Sequence, residues 1–273
     1  MIPGPPKIVK CPSCGMYQAR ETIISGNTVG AAFFSDGVRV APMLPQFPYY
    51  VKCPECRAFF KINDAVARKK WSSLDSNIPY VRFLTIDEYK QAIKSGLYNG
   101  NKNDILKLRI ALWQAFNGTK NGSEIDKKTF YEDNCRKILY GMGMIPHPMF
   151  DTIQRLLMSC GFKKLSMYIS TLAPGNGMKL NTDEDLLMCA ELWRNIGEFD
   201  KCKNLLKKIR LPDKFELYIS TINAACDARN TFTVRLEIPG VAPFDSLEVT
   251  ERHRTLTTTR PRTRFSESRL PNE

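Results

Sequence analysis

A chain of 273 residues is long enough for one large domain or two modest ones with a real hydrophobic core. Its composition, 43% apolar and 25% charged, argues against a largely disordered, collagen-like or membrane-embedded chain. The net charge is +12, and half of that excess, +6, falls in residues 1–72; nucleic acid or an acidic protein surface is open as a partner, with solubility as the simpler reading.

Residues 1–10 hold three prolines and no apolar stretch of the kind a secretory signal needs. No run of about 18 uncharged apolar residues occurs, so no transmembrane helix is expected. Nine cysteines, an odd number, point to a reducing, cytoplasmic setting. Asn117-Gly118-Thr119 and Asn121-Gly122-Ser123 match the glycosylation pattern but read as loop in that compartment.

Thr22-Ile23-Ile24 is a short strand candidate with Ser25-Gly26-Asn27 as its turn. Ala31 to Phe34 and Val38 to Val40 flank Ser35-Asp36-Gly37, which predicts a β-hairpin. Pro42, Pro45 and Pro48 exclude a helix beyond it. In residues 73–100, a connector, Thr85 and Glu88 have capping-box spacing and Gly96 is a stop, which predicts a helix from Ile86 to Ser95.

From about Asn103 the period is helical. Leu106, Arg109, Ile110 and Trp113 begin it, and Met149, Ile153, Leu156, Leu157 and Cys160 continue it. Thr182 can cap a helix whose first turn holds Asp183, Glu184 and Asp185. Leu186, Cys189, Ala190 and Trp193 form one face of that helix, and Gly197 ends it. Cys202, Leu205, Leu206 and Ile209 form a second face, so Thr182 to Ile209 predicts a helical hairpin, and Phe215, Tyr218, Ile219 and Ile222 predict a next helix after Pro212. Residues 229–273 hold no lysine but 8 of the 18 arginines, which reads as a disordered or foreign tail, with a short strand possible near Phe232 to Ile238.

The chemistry lies in a repeat. Val9-Lys10-Cys11-Pro12-Ser13-Cys14 and Val51-Lys52-Cys53-Pro54-Glu55-Cys56 agree at five of six positions. Each Cys-x-x-Cys pair puts two thiolates on one tight turn, and two such turns meeting face to face supply the four sulfurs of a tetrahedral structural zinc. Cys11, Cys14, Cys53 and Cys56 are therefore the expected metal ligands. A redox dithiol and four unligated thiols are the alternatives, but neither pair has the βαβ setting that redox chemistry favours. Four thiolates leave no open position, so no catalytic water is expected.

These hexapeptides resemble the zinc-ribbon class over roughly the first 65 residues. Ser35-Asp36-Gly37 and Pro42-Met43-Leu44-Pro45 also resemble a group of uncharacterised bacterial proteins, from which no activity carries over. The hairpin at 182–209 resembles a tetratricopeptide repeat. Ala190 and Cys202 stand at its small-residue positions and Gly197-Glu198-Phe199-Asp200 at its turn, while Gly161-Phe162 with Leu165 is a faint earlier copy.

Other signals are weaker. His147, between two prolines, and His253, in the tail, have no partner ligand at suitable spacing. Gly175-Asn176-Gly177-Met178-Lys179 lacks the full phosphate-loop pattern. Cys135, Cys160, Cys189, Cys202 and Cys226 have no pair spacing and read as buried, inert thiols. Trp113 and Trp193 read as core.

The expected fold is α+β. A small β-rich zinc-ribbon-like domain at 1–72 is followed by the connector at 73–100, an all-α, tetratricopeptide-like domain at 101–228 and the tail at 229–273. The expected function is a non-enzymatic adaptor with structural Zn²⁺ and a protein partner. The alternative is nucleic-acid binding through Lys10, Arg20, Arg39, Lys52, Arg57 and Lys61, with Phe33, Phe34, Tyr49, Tyr50, Phe59 and Phe60 as stacking groups.

Overall fold

Three prolines open a strand. In the computed structural model, which describes residues 1–62, 77–96, 101–118, 124–145 and 182–237, β1 (Ile2–Lys10) pairs antiparallel with β2 (Tyr17–Ser25). Pro3, Pro5 and Pro6 are accommodated because β1 is an edge strand with one neighbour, and its register shifts between Gly4 and Lys7. The expected strand at Thr22 to Ile24 is the far half of β2. On its other edge, Ala19 donates to Pro79 O and accepts from Val81 N, both at 2.8 Å.

The Ser-Asp-Gly hairpin forms as read. β3 (Ala32–Phe34) and β4 (Arg39–Val40) pair with Ala32 opposite Val40, and Phe34 N donates to Val38 O at 3.0 Å. The Asp36 side chain accepts from Val38 N, an Asx turn that closes the loop. β5 (Tyr50–Lys52) and β6 (Phe59–Lys61) make a third small antiparallel sheet around the second cysteine pair.

Helix α1 (Ile86–Lys94) lies within a residue of its predicted bounds. Both halves of its capping box are made: Glu88 N donates to Thr85 Oγ1 and Thr85 N donates to Glu88 Oε2. Helices α2 (Lys102–Asn117) and α3 (Glu124–Gly141) follow, α2 capped by the Asn101 side chain. Tyr50 and Leu84 share a core with Tyr89 and Ala92 of α1 and Leu108, Leu112 and Ala115 of α2. The segment read as a connector thus contributes to a core that joins β5 to the helices.

The predicted hairpin at 182–209 is present as α4 (Asp183–Asn195) and α5 (Phe199–Leu206). Thr182 and Asp185 complete a second capping box. Gly197, at φ +82°, takes the left-handed conformation that lets Glu198 N return to Trp193 O at 2.9 Å and turn the chain. A 3₁₀ turn (Pro212–Phe215) leads into α6 (Glu216–Asp227), the expected next helix. Trp113, Ile138, Leu139, Cys189, Ala190, Leu192, Cys202 and Ile222 form the centre of the helical core.

β7 (Arg235–Leu236) falls inside the interval expected for a short strand and pairs with β3, Phe33 opposite Leu236. Residues 229–237, read as the start of a tail, are therefore built into the fold. The reason is long-range pairing, which composition does not report. The Met149 to Cys160 face, Gly161-Phe162 and Leu165, Gly175 to Lys179, His147 and the rest of the tail with His253 lie outside the described residues. No helix among the described residues is long and apolar enough to cross a membrane.

Candidate metal centre

The two hexapeptides make the same turn. Cys11 N donates to Met16 O and Gly15 N to Cys11 O, at 2.8 and 2.9 Å; Cys53 N donates to Ala58 O and Arg57 N to Cys53 O, at 2.8 and 3.0 Å. The residue after each second cysteine is left-handed in both, Gly15 at φ +78° and Arg57 at +60°. Val9 and Val51, two residues before each first cysteine, are fully buried and pack with Cys11, Cys53, Phe60, Ile62 and Val81. Equivalent sequences thus adopt equivalent loops, each anchored by its valine.

The anchored loops bring the sulfurs together. Cys11 Sγ lies 3.7 Å from Cys56 Sγ, Cys14 Sγ lies 3.6 Å from Cys53 Sγ, and all four sulfurs fall within 4.8 Å of one another. A tetrahedron with metal–sulfur bonds of about 2.3 Å has sulfur–sulfur edges of about 3.8 Å. The spacing therefore fits a single cation at the centre. Cys11 and Cys53 are buried, while Cys14 and Cys56 face outward. All four expected ligands are brought to one place and could hold a metal ion.

Electrostatics of the thiols are uneven. The Met16 backbone N–H holds Cys14 down to about 7. At Cys56 the Ala58 N–H acts in the same sense, but desolvation and hydrogen bonds with the neighbouring thiols outweigh it and push that group up to about 12. Burial raises Cys53. A cation bound among the sulfurs would favour the thiolate form of its ligands.

The basic and aromatic residues of the nucleic-acid alternative are scattered among other tasks. Lys61 Nζ is 2.9 Å from Asp104 Oδ2, and Lys52 Nζ is 3.5 Å from Glu88 Oε1. Phe34, Tyr50 and Phe60 are buried, and the Tyr50 hydroxyl donates to Asp104 O. Arg20 sits over the Phe47 ring. Lys10 and Arg57 remain exposed beside the cysteine loops, with Tyr49 exposed and Phe33, Phe59 and Arg39 half-buried.

Two polar clusters escaped the sequence reading. Glu88 receives Arg82 through two bonds of 2.6 and 2.7 Å, and the Arg82 guanidinium holds its carboxyl down to about 2. Only its capping role was legible. Deeper in the fold, Arg194 and Glu191 are both fully buried and ion-paired. Ser35 Oγ donates to Glu191 Oε1 at 2.7 Å, Arg194 donates to the carbonyls of Asn230 and Phe232, and Asn195 donates to that of Thr231. The i, i+3 spacing of Glu191 and Arg194 is local, but nothing local marks their tie to Ser35, which stands 156 residues from Glu191.

A cleft of about 240 Å³ opens where Phe47 and Tyr49 face α1 and α2. Among the described residues, its lining contains no carboxylate, histidine or cysteine. No family model, no curated protein and no solved structure matches the chain.

Proposed function

We propose that the four cysteines hold a structural Zn²⁺ and that the protein is a non-enzymatic, cytoplasmic adaptor whose helical-hairpin surface binds a protein partner. The observation that carries this reading is the cysteine cluster itself. Four sulfurs within 4.8 Å of one another would fill the shell of a tetrahedral cation and leave no position for substrate or a reactive water. Zinc is the cation of choice for four thiolates on paired turns, and the free thiols of the described residues suit a reducing compartment.

The adaptor reading rests further on how the helices are held. The α4–α5 hairpin, with Ala190 and Cys202 fully buried, fits the small-residue logic of a tetratricopeptide repeat. Ser35 and β7 tie that hairpin to the β module, so a partner docking on either would meet a rigid scaffold.

Two measurements on the full chain test the proposal. Elemental analysis of protein purified without added metal should return one zinc per chain; iron, or no metal with all thiols reactive, would overturn the metal assignment. Affinity capture with and without nuclease should yield a protein that resists nuclease and binds the purified chain directly. Retention of nucleic acid alone, weakening steeply with salt, would replace the adaptor reading with the basic-surface one.

A further inference from the structure

Five cysteines outside the metal centre lack pair spacing, yet the fold pairs two of them. Cys202 on α5 and Cys226 in the last turn of α6 have sulfurs 3.4 Å apart, both in the helical core. Cys189 faces the Met142 thioether at 3.5 Å, and Cys135 is fully buried. Among the described residues, Cys202 and Cys226 are thus the pair of thiols outside the metal centre in contact with each other.

We propose that Cys202 and Cys226 are a reversible oxidation site whose disulfide ties α5 to α6, with a hydroperoxide as the oxidant. A disulfide needs the sulfurs at about 2.05 Å, so an approach of roughly 1.4 Å between two helix side chains suffices. The surroundings favour reaction at Cys226. The adjacent Cys202 thiol, the Arg194 guanidinium and the Lys203 ammonium all lower Cys226, whereas burial raises Cys135 and Cys189. Cys226 stands one residue before the end of α6 and is 3% exposed against 0% for Cys202, so it is the less deeply buried of the two thiols.

The step balances in two stages. The Cys226 sulfur attacks one oxygen of hydrogen peroxide, the O–O bond breaks, and the departing oxygen leaves as water with the thiol proton, giving a sulfenic acid. The Cys202 sulfur then attacks the Cys226 sulfur. The S–O bond breaks, the S–S bond forms, and the hydroxyl leaves as water with the Cys202 proton. Two thiols lose two electrons and two protons, and the peroxide becomes two waters.

The test uses the full metal-loaded chain, exposed to hydrogen peroxide, then denatured, alkylated, digested and read by mass spectrometry. The expected product is a linked pair of peptides bearing Cys202 and Cys226, lighter than their sum by two hydrogens and separated by a dithiol, while Cys135 and Cys189 are alkylated. The thermal midpoint of the oxidised chain should rise by roughly 5 °C or more, because the bond closes a long loop. A Cys202→Ala variant should instead accumulate a sulfenic acid at Cys226 that a cyclic dione traps. Full alkylation of both residues after peroxide, or linkage of either to another cysteine, would overturn the proposal. The wild-type peptide map decides it even where the variant fails to fold, and it decides nothing about the metal or the partner.

Discussion

The β module and the helical region solve the same problem with different means. The helical core gathers nineteen buried residues around Trp113 and Leu192, enough apolar surface to hold α2 to α6 together by packing. Around the cysteine loops the buried cluster has seven members, two of them the cysteines Cys11 and Cys53. Small sheets with so little apolar burial lack an adequate core of their own. The contrast shows where a metal matters: the cation would reinforce the small core around the cysteine loops.

Removing the metal is the strongest way to break that contrast. Structural zinc in small thiolate sites carries apparent binding free energies of about 10 kcal/mol or more, and that energy is folding energy. Treatment with a strong chelator at neutral pH, or the substitution Cys53→Ser, should abolish amide protection at Val9, Cys11, Val51 and residue 53. Protection at Leu139, Leu192 and Ile222 should persist. Hydrogen exchange on the full chain reads both regions at once. Equal loss in both would mean that they fold as one cooperative unit; no loss in either would mean that the β module stands without metal.

A smaller effect is expected at the bond between the regions. Arg194 and Glu191 belong to α4, but Ser35 reaches them from the β3–β4 hairpin, and the Asn230 and Phe232 carbonyls reach them from the segment leading to β7. Arg194→Met leaves the Glu191 carboxylate buried without its cation, a change that costs about 3–5 kcal/mol. Adding Glu191→Gln to that variant should recover part of the loss, because the uncompensated charge is gone. Urea unfolding of the two single variants and the double variant measures the coupling. Strict additivity of the two changes would show that the pair does not act as a unit.

How much of this was legible follows from sequence distance. The metal site could be read because its chemistry is repeated within two hexapeptides, and α1, α4 and the β3–β4 hairpin because a capping box, an N-cap threonine and a Ser-Asp-Gly turn act over three or four residues. β1 was not legible: its prolines argue against a strand unless that strand is known to lie at an edge, which depends on its neighbours. The β3–β7 pairing and the Ser35–Glu191 bond join residues far apart in the chain, and no local pattern encodes them. Lys52 and Lys61 read as free basic groups for the same reason, since their partners Glu88 and Asp104 lie on helices beyond the module.

The finest comparison is between the two cysteine loops themselves, which make the same pair of backbone–backbone hydrogen bonds but differ at the left-handed residue. Gly15 takes φ +78° without strain, and a Cβ there would meet only the end of the Lys10 side chain at 3.4 Å. Gly15→Ala should therefore cost about 1 kcal/mol, from backbone strain rather than a clash. Arg57, at φ +60°, already carries that strain. Arg57→Gly removes it, and the greater freedom of glycine in the unfolded chain offsets part of the gain, leaving a net stabilisation of about 0.5 kcal/mol. Denaturant unfolding with metal present should thus move in opposite directions for the two variants. A loss in both would mean that the Arg57 side chain holds the second loop through an interaction that outweighs its strain, and that the two halves of the site are equivalent in backbone only.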